Sequence, residues 1–143
     1  MILLDTNILG RITNGADPLC ATCREAIRKL HQQGERLVIV PQNLYEFWAV
    51  ATRKPENNGL GMEPNRASFW IGYFQRRFIV LPDQEALLPT WHALVKSYTI
   101  KSFQAHDVRL VAAMQTYSVT RMLTKNPNHF QRFPITLMDP SVV

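Results

Sequence analysis

Cysteine is scarce in this chain: only Cys20 and Cys23 occur in 143 residues, and with no second pair a four-cysteine zinc site is excluded. Cys20-Ala-Thr-Cys23 has the spacing of a redox dithiol, yet it lies inside a helical pattern and not at a strand-to-helix junction. Cys23 shares an apolar stripe with Leu19, Ala26, Ile27 and Leu30, so both thiols are expected to be reduced and structural. Long apolar runs are missing as well. None approaches the roughly 20 residues needed to span a bilayer, and the start lacks the basic-then-apolar pattern of a signal peptide. The expected location is the cytoplasm, with no membrane partner. Repeats, low-complexity segments and linkers are also absent, so residues 1–143 read as a single domain. Acids are the minority charge, with 11 Asp+Glu against 16 Lys+Arg, a formal net charge of +5 and a pI near 9.6. That surplus favours a polyanionic partner, either nucleic acid or an acidic protein.

The residues that are present alternate between strand and helix patterns. Met1-Ile2-Leu3-Leu4 is an apolar strand that stops abruptly at Asp5-Thr6-Asn7. Ile8 to Asn14 reads as a short helix or turn, and Asp17-Pro18 as the cap and first position of a helix reaching Gln33, which Gly34 stops. Leu37 to Val40 is a buried strand. Pro41 opens a helix over about Gln42 to Arg53, with Leu44, Phe47, Trp48 and Ala51 as its main apolar stripe and Glu46 on a second face with Asn43, Val50 and Arg53. Pro55 to Pro64 carries Asn57-Asn58-Gly59 and Gly61 and reads as a mobile loop. Asn65 is placed to cap a helix to about Gln75, followed by the strand Phe78 to Leu81. Asp83 is placed to cap a helix with Leu87, Trp91, Leu94 and Val95 on one face, which Pro89 either kinks or starts. A helix over Phe103 to Thr116, a weak strand at Val119 to Leu123 and a short strand at Ile135 to Met138 complete the chain. This alternation predicts a three-layer α/β/α sandwich around a central, mostly parallel sheet.

Three carboxylates occupy telling places. Asp5 ends a strand, where ligands bind in open α/β sheets, although an aspartate there also serves as a helix cap. Glu46 lies inside the helix after the second strand. Asp107, Leu110, Val111 and Met114 recur at helical spacing, so Asp107 heads the sheet-facing side of its helix. Alone it reads as a local cap or an ion pair with Arg109 or His106. If the three elements meet at one sheet edge, the acids converge, and clustered carboxylates repel unless protonated or bridged by a cation. All-oxygen ligation suits Mg²⁺ or Mn²⁺, ions that promote attack on a phosphate. With a basic chain around them, the substrate class is a phosphodiester backbone.

Leu3-Leu4-Asp5-Thr6-Asn7-Ile8 resembles the opening of a PIN-domain ribonuclease of the VapC toxin type. Glu46 in Leu44-Tyr45-Glu46-Phe47 matches that family's second acidic position, and Asp107 in His106-Asp107-Val108-Arg109-Leu110-Val111-Ala112-Ala113 its third. Thr124-Lys125-Asn126-Pro127-Asn128-His129-Phe130 resembles its closing Thr-x-Asn-x-x-Asp-Phe element, with His129 where a fourth acid often stands. The resemblance covers nearly the whole chain in family order. It implies that Asp5, Glu46 and Asp107 are the catalytic, metal-holding residues for one or two Mg²⁺ or Mn²⁺ ions, and that the substrate is RNA. Thr6, Asn7, Thr124 and Asn126 become supports, and His129 a poorer metal ligand or a residue that orients water. Arg11 faces either phosphate or solvent. The resemblance further implies a homodimer and a cognate antitoxin, with Phe69, Trp70, Tyr73 and Phe74 offering an apolar surface that core packing explains for most of them.

Three rivals are separable. A haloacid-dehalogenase-type phosphatase wants a second aspartate two positions after the first, where this chain has Asn7. A receiver-like domain wants paired early acids and a late lysine. A catalytically weak PIN-like module that binds RNA or a protein without cutting is compatible with His129 and the basic balance.

Overall fold

The computed structural model describes residues 1–143. Five strands, β1 (Ile2–Leu4), β2 (Leu37–Ile39), β3 (Ile79–Val80), β4 (Arg121–Leu123) and β5 (Thr136–Met138), form one sheet in the order β3-β2-β1-β4-β5. Every pairing is parallel, so the sheet is wholly and not just mostly parallel. Six helices cover it: α1 (Thr6–Thr13), α2 (Cys20–Gln32), α3 (Pro41–Thr52), α4 (Pro64–Arg77), α5 (Leu87–Ser97) and α6 (Gln104–Thr116).

The period-two alternation of β1 divides the core. Ile2 and Leu4 point into a cluster with Ile8, Leu9, Ile27, Phe47 and Phe74 from α1 to α4. Leu3 points the other way, into a cluster with Leu94 from α5, Val108 and Val111 from α6, and Phe130. A strand buried on both faces must be apolar throughout, which is why Ile2-Leu3-Leu4 carries no polar residue. Cys20 and Cys23 are buried free thiols, as expected. No helix is long and apolar enough to cross a membrane.

Several local expectations are corrected. The first helix starts at Thr6, not Ile8. Helix α2 starts at Cys20, and the Asp17 carboxylate accepts from the Leu19 backbone N–H in the turn before it while also binding Arg11. Glu63, not Asn65, precedes α4, since Pro64 takes the first helical position, where its missing N–H costs nothing. Asp83 does not cap α5; it binds Arg109. Pro89 is the third residue of α5, within its first turn. Trp48 is 39% exposed and Tyr45 70%, so the stripe of α3 narrows to Leu44, Phe47 and Ala51. The aromatics of α4 split: Phe74 is buried in the core, with Trp70 and Tyr73 packed against it, whereas Phe69 is exposed.

Candidate active site at the carboxyl edge of the sheet

The chain runs β1, β2, β3 to one edge and then returns to place β4 on the other side of β1. The order therefore reverses between β1 and β4, and the crevice at such a switch point is where open parallel sheets bind ligands. Asp5 follows β1 there and Thr124 follows β4. The Asp5 backbone N–H donates to the Leu123 carbonyl at 3.0 Å, extending the ladder one residue and fixing Asp5 at the rim.

Asp5 is 6% exposed, and neutral groups hold it. Thr124 Oγ1 and Asn7 Nδ2 each donate to its Oδ2 at 2.6 Å. Thr124 Oγ1 in turn accepts from the Asn126 backbone N–H at 2.9 Å, and Asn7 Oδ1 accepts from that of Lys125 at 3.3 Å. The loop after β4 is thereby locked to the start of α1. Glu46 is held in the same manner, accepting from Thr6 Oγ1 at 2.7 Å and Gln42 Nε2 at 2.6 Å. Thr6 is oriented by Asn43, whose Nδ2 donates to Thr6 Oγ1 at 3.1 Å while its Oδ1 accepts from the Val40 backbone N–H at 2.8 Å. Asp107 pairs with neither Arg109 nor His106; its Oδ2 meets His129 Nδ1 at 3.0 Å. An ionised carboxylate only accepts, so that nitrogen carries the hydrogen.

The electrostatics show the three acids sharing one environment. Burial pushes the Asp5 carboxyl up to about 6; the Thr124 and Thr6 hydrogen bonds oppose this, and the charges of Glu46 and Asp107 add to it. Burial also raises Asp107, against the pull of His129 and with a contribution from Glu46. No lysine or arginine forms a salt bridge with any of the three. Mutually repelling carboxylates, Asp5 buried and Glu46 and Asp107 half-buried, with no lysine or arginine paired to them, make an all-oxygen donor set suited to a hard divalent cation. They stand open: no three acidic, histidine or cysteine side chains are gathered into a metal-sized cage.

A cleft of about 510 Å³ opens beside them, lined by Asp5, Thr6, Asn7, Arg11, Glu46 and Asn126 together with Asp17, Val50, Arg53 and Asn58. Asp107, His129 and Thr124 are not among its lining residues. Arg11 Nη1 reaches both Asp17 oxygens, at 3.0 and 2.9 Å, and its Nε is buried without a partner. Arg11 thus belongs to the cleft wall and not to open solvent. The expected second face of α3 is realised here, since Glu46, Val50 and Arg53 all line the cleft.

A family model of the PIN domain matches residues 2–135. The chain belongs to the PIN-domain family. Among curated protein sequences none matches it. Among solved structures this PIN domain is similar to VapBC2 from Rickettsia felis bound to a promoter DNA fragment, with 16% identity over 97% of this chain and 98% of that one and a TM-score of 0.71. It is similar to Mycobacterium tuberculosis VapC20, a toxin that cleaves the sarcin–ricin loop, with 15% identity over 94% and 97% and a TM-score of 0.68. It is also similar to a toxin–antitoxin complex from Klebsiella pneumoniae, with 18% identity over 98% of both chains and a TM-score of 0.65. At such identities the likeness establishes the fold.

Sequence reasoning passed over Gln42, Asn43 and Asp17 as parts of this site. The signal for Gln42 was its place one turn before Glu46, and for Asn43 its shared face with Glu46. Nothing local marked Asp17 as the partner of Arg11.

Proposed function

We propose that this chain is a divalent-metal-dependent endoribonuclease that hydrolyses RNA phosphodiester bonds as the toxin of a toxin–antitoxin pair in the cytoplasm. One observation carries the reading: mutually repelling carboxylates, Asp5 buried and Glu46 and Asp107 half-buried, lie without a lysine or arginine partner at the switch point of a PIN fold. Asp5, Glu46 and Asp107 would hold Mg²⁺ or Mn²⁺, and the ion, when bound, supplies Lewis acidity to the hydrolysis. The protein's own groups do the positioning. Asn7 and Thr124 fix Asp5, Thr6 fixes Glu46, and His129 fixes Asp107 in place of a fourth acid. Arg53, exposed and without a salt-bridge partner, and Arg11, steadied by Asp17, present cations to the RNA backbone along the cleft, and Asn126 offers an amide to it. The similarity to toxin–antitoxin assemblies supports a cognate antitoxin, and a homodimer belongs to the same proposed reading. The exposed Phe69 supplies apolar surface for either contact.

The assay is cleavage of structured RNAs with Mg²⁺ or Mn²⁺. We expect metal-dependent activity that Asp5→Asn or Asp107→Asn lowers at least about 100-fold, the scale of losing charge stabilisation in a reacting site. Equal, metal-independent traces of cleavage in all three proteins would sink the enzymatic reading. The second reading, a binding module of weak activity, is favoured by the Asp107–His129 contact, which occupies one carboxylate oxygen. RNA binding that survives both substitutions without any cleavage would select it.

A further inference from the structure

Gln42 stands at the second position of α3 and is 5% exposed. Its amide is fully engaged. Nε2 donates to Glu46 Oε1 at 2.6 Å and to the His106 carbonyl at 2.7 Å, while Oε1 accepts from Arg109 Nη1 at 2.9 Å. The partners fix the orientation of the amide, because the flipped form would set its oxygen against two acceptors and its NH₂ against a donor. Arg109 is itself anchored by Asp83 at 2.7 Å. Both hydrogen bonds that join α3 to α6 pass through this one side chain.

The consequence concerns spacing. Glu46 belongs to α3, and His106 immediately precedes Asp107 on α6. One planar amide therefore grips a carboxylate on one helix and the backbone beside a carboxylate on the other. The Glu46 charge acts on Asp107 and the two push apart, and nothing else in the hydrogen-bond network holds α3 to α6 against that push. We propose that Gln42 is a positioning residue that sets the separation of Glu46 from Asp107, and so the affinity and geometry of the divalent-ion site. The inference rests on the reading of the acids as that site.

Calorimetric titration of the full chain with Mn²⁺ alone is the test, on wild type and Gln42→Met, a residue of similar length without hydrogen-bonding capacity. Loss of an outer partner of this kind is expected to weaken Mn²⁺ binding about 10–100-fold. The kcat for RNA should fall with it while KM stays near the wild-type value, because Gln42 does not line the cleft. Far-UV circular dichroism at the titration temperature confirms that both proteins are folded. Gln42→Asn keeps the amide but falls one methylene short of its partners, and it carries the test should Gln42→Met not fold. Wild-type Mn²⁺ binding that the folded variant matches would overturn the positioning role and leave the metal reading standing. No Mn²⁺ binding by wild type would overturn both.

Discussion

Asp5 shows at the scale of a single residue how the site is held at the expense of stability. Burial pushes the Asp5 carboxyl up to about 6, from an ordinary value of 3.8. Between those values the folded state binds more protons than the unfolded one, so the metal-free protein loses stability as pH rises through this window. The shift amounts to about 3 kcal/mol at most, fully exacted above pH 6 and absent below pH 4. In EDTA, Asp5→Asn should therefore be the more stable protein at pH 7, by up to about 3 kcal/mol, because its amide oxygen still accepts from Asn7 and Thr124 without carrying charge. Urea unfolding at pH 4, 5.5 and 7 measures this, and a gap that is constant or widens toward pH 4 refutes it. Excess Mn²⁺ should stabilise wild type, by about 2.7 kcal/mol at a hundred times its dissociation constant. Asn43 has the opposite signature. It is fully buried and supplies one hydrogen bond to Val40 and one to Thr6. Asn43→Ala strands the Val40 N–H and should lower stability by about 1–3 kcal/mol at every pH. A loss confined to one pH range would contradict that account.

Elements were legible where their causes are local and illegible where they are not. The apolar strand before Asp5, the stripe of Leu44, Phe47 and Ala51, and the alternation of strand with helix all follow from periodicity, and they predicted the layers correctly. Two of the misplaced caps share a cause. Asp17 and Asp83 each precede a helical pattern, yet their carboxylates are taken by Arg11 and Arg109. Asp83 and Arg109 stand 26 residues apart, and local sequence does not encode such a partner. The same limit hid the Gln42 link to His106 across 64 residues. The loop after α3 shows what a local motif does encode. Asn58 takes a left-handed φ of 62°, and Gly59 lies so close to the end of α3 that an added Cβ would sit 2.0 Å from the Arg53 carbonyl oxygen. Backbone cannot yield that far without moving the loop, which carries Asn58, and Arg53, both of them in the cleft wall. Gly59→Ala should cost about 1–3 kcal/mol through this overpacking and raise KM for RNA. Gly15→Ala, where a Cβ meets nothing within 4 Å, is the control. Equal thermal midpoints and KM values for the two variants would show that the loop accommodates the methyl group.

The whole molecule presents an electrostatic contradiction that its function must use. Its formal net charge of +5 draws polyanions in, yet the switch-point crevice concentrates Asp5, Glu46 and Asp107, which repel the same backbone. Arg11 and Arg53 line the cleft with Asp5 and Glu46 without pairing to them. On the proposed reading, the net positive charge would favour association, and a phosphate approaching the acids would need a cation to offset their charge. Two effects of opposite sign follow for RNA binding in EDTA at pH 7.5. Raising salt from about 50 to 200 mM should weaken binding of a single-stranded oligonucleotide about tenfold, as expected when two or three phosphates are neutralised. Asp5→Asn, which removes one repelling charge, should tighten binding a few-fold at low salt, in keeping with a unit charge acting through a partly solvated cleft. Fluorescence anisotropy reads both effects without cleavage. Salt-independent binding would remove the steering surface from this account, and weaker binding by Asp5→Asn would mean that the backbone does not approach the carboxylates.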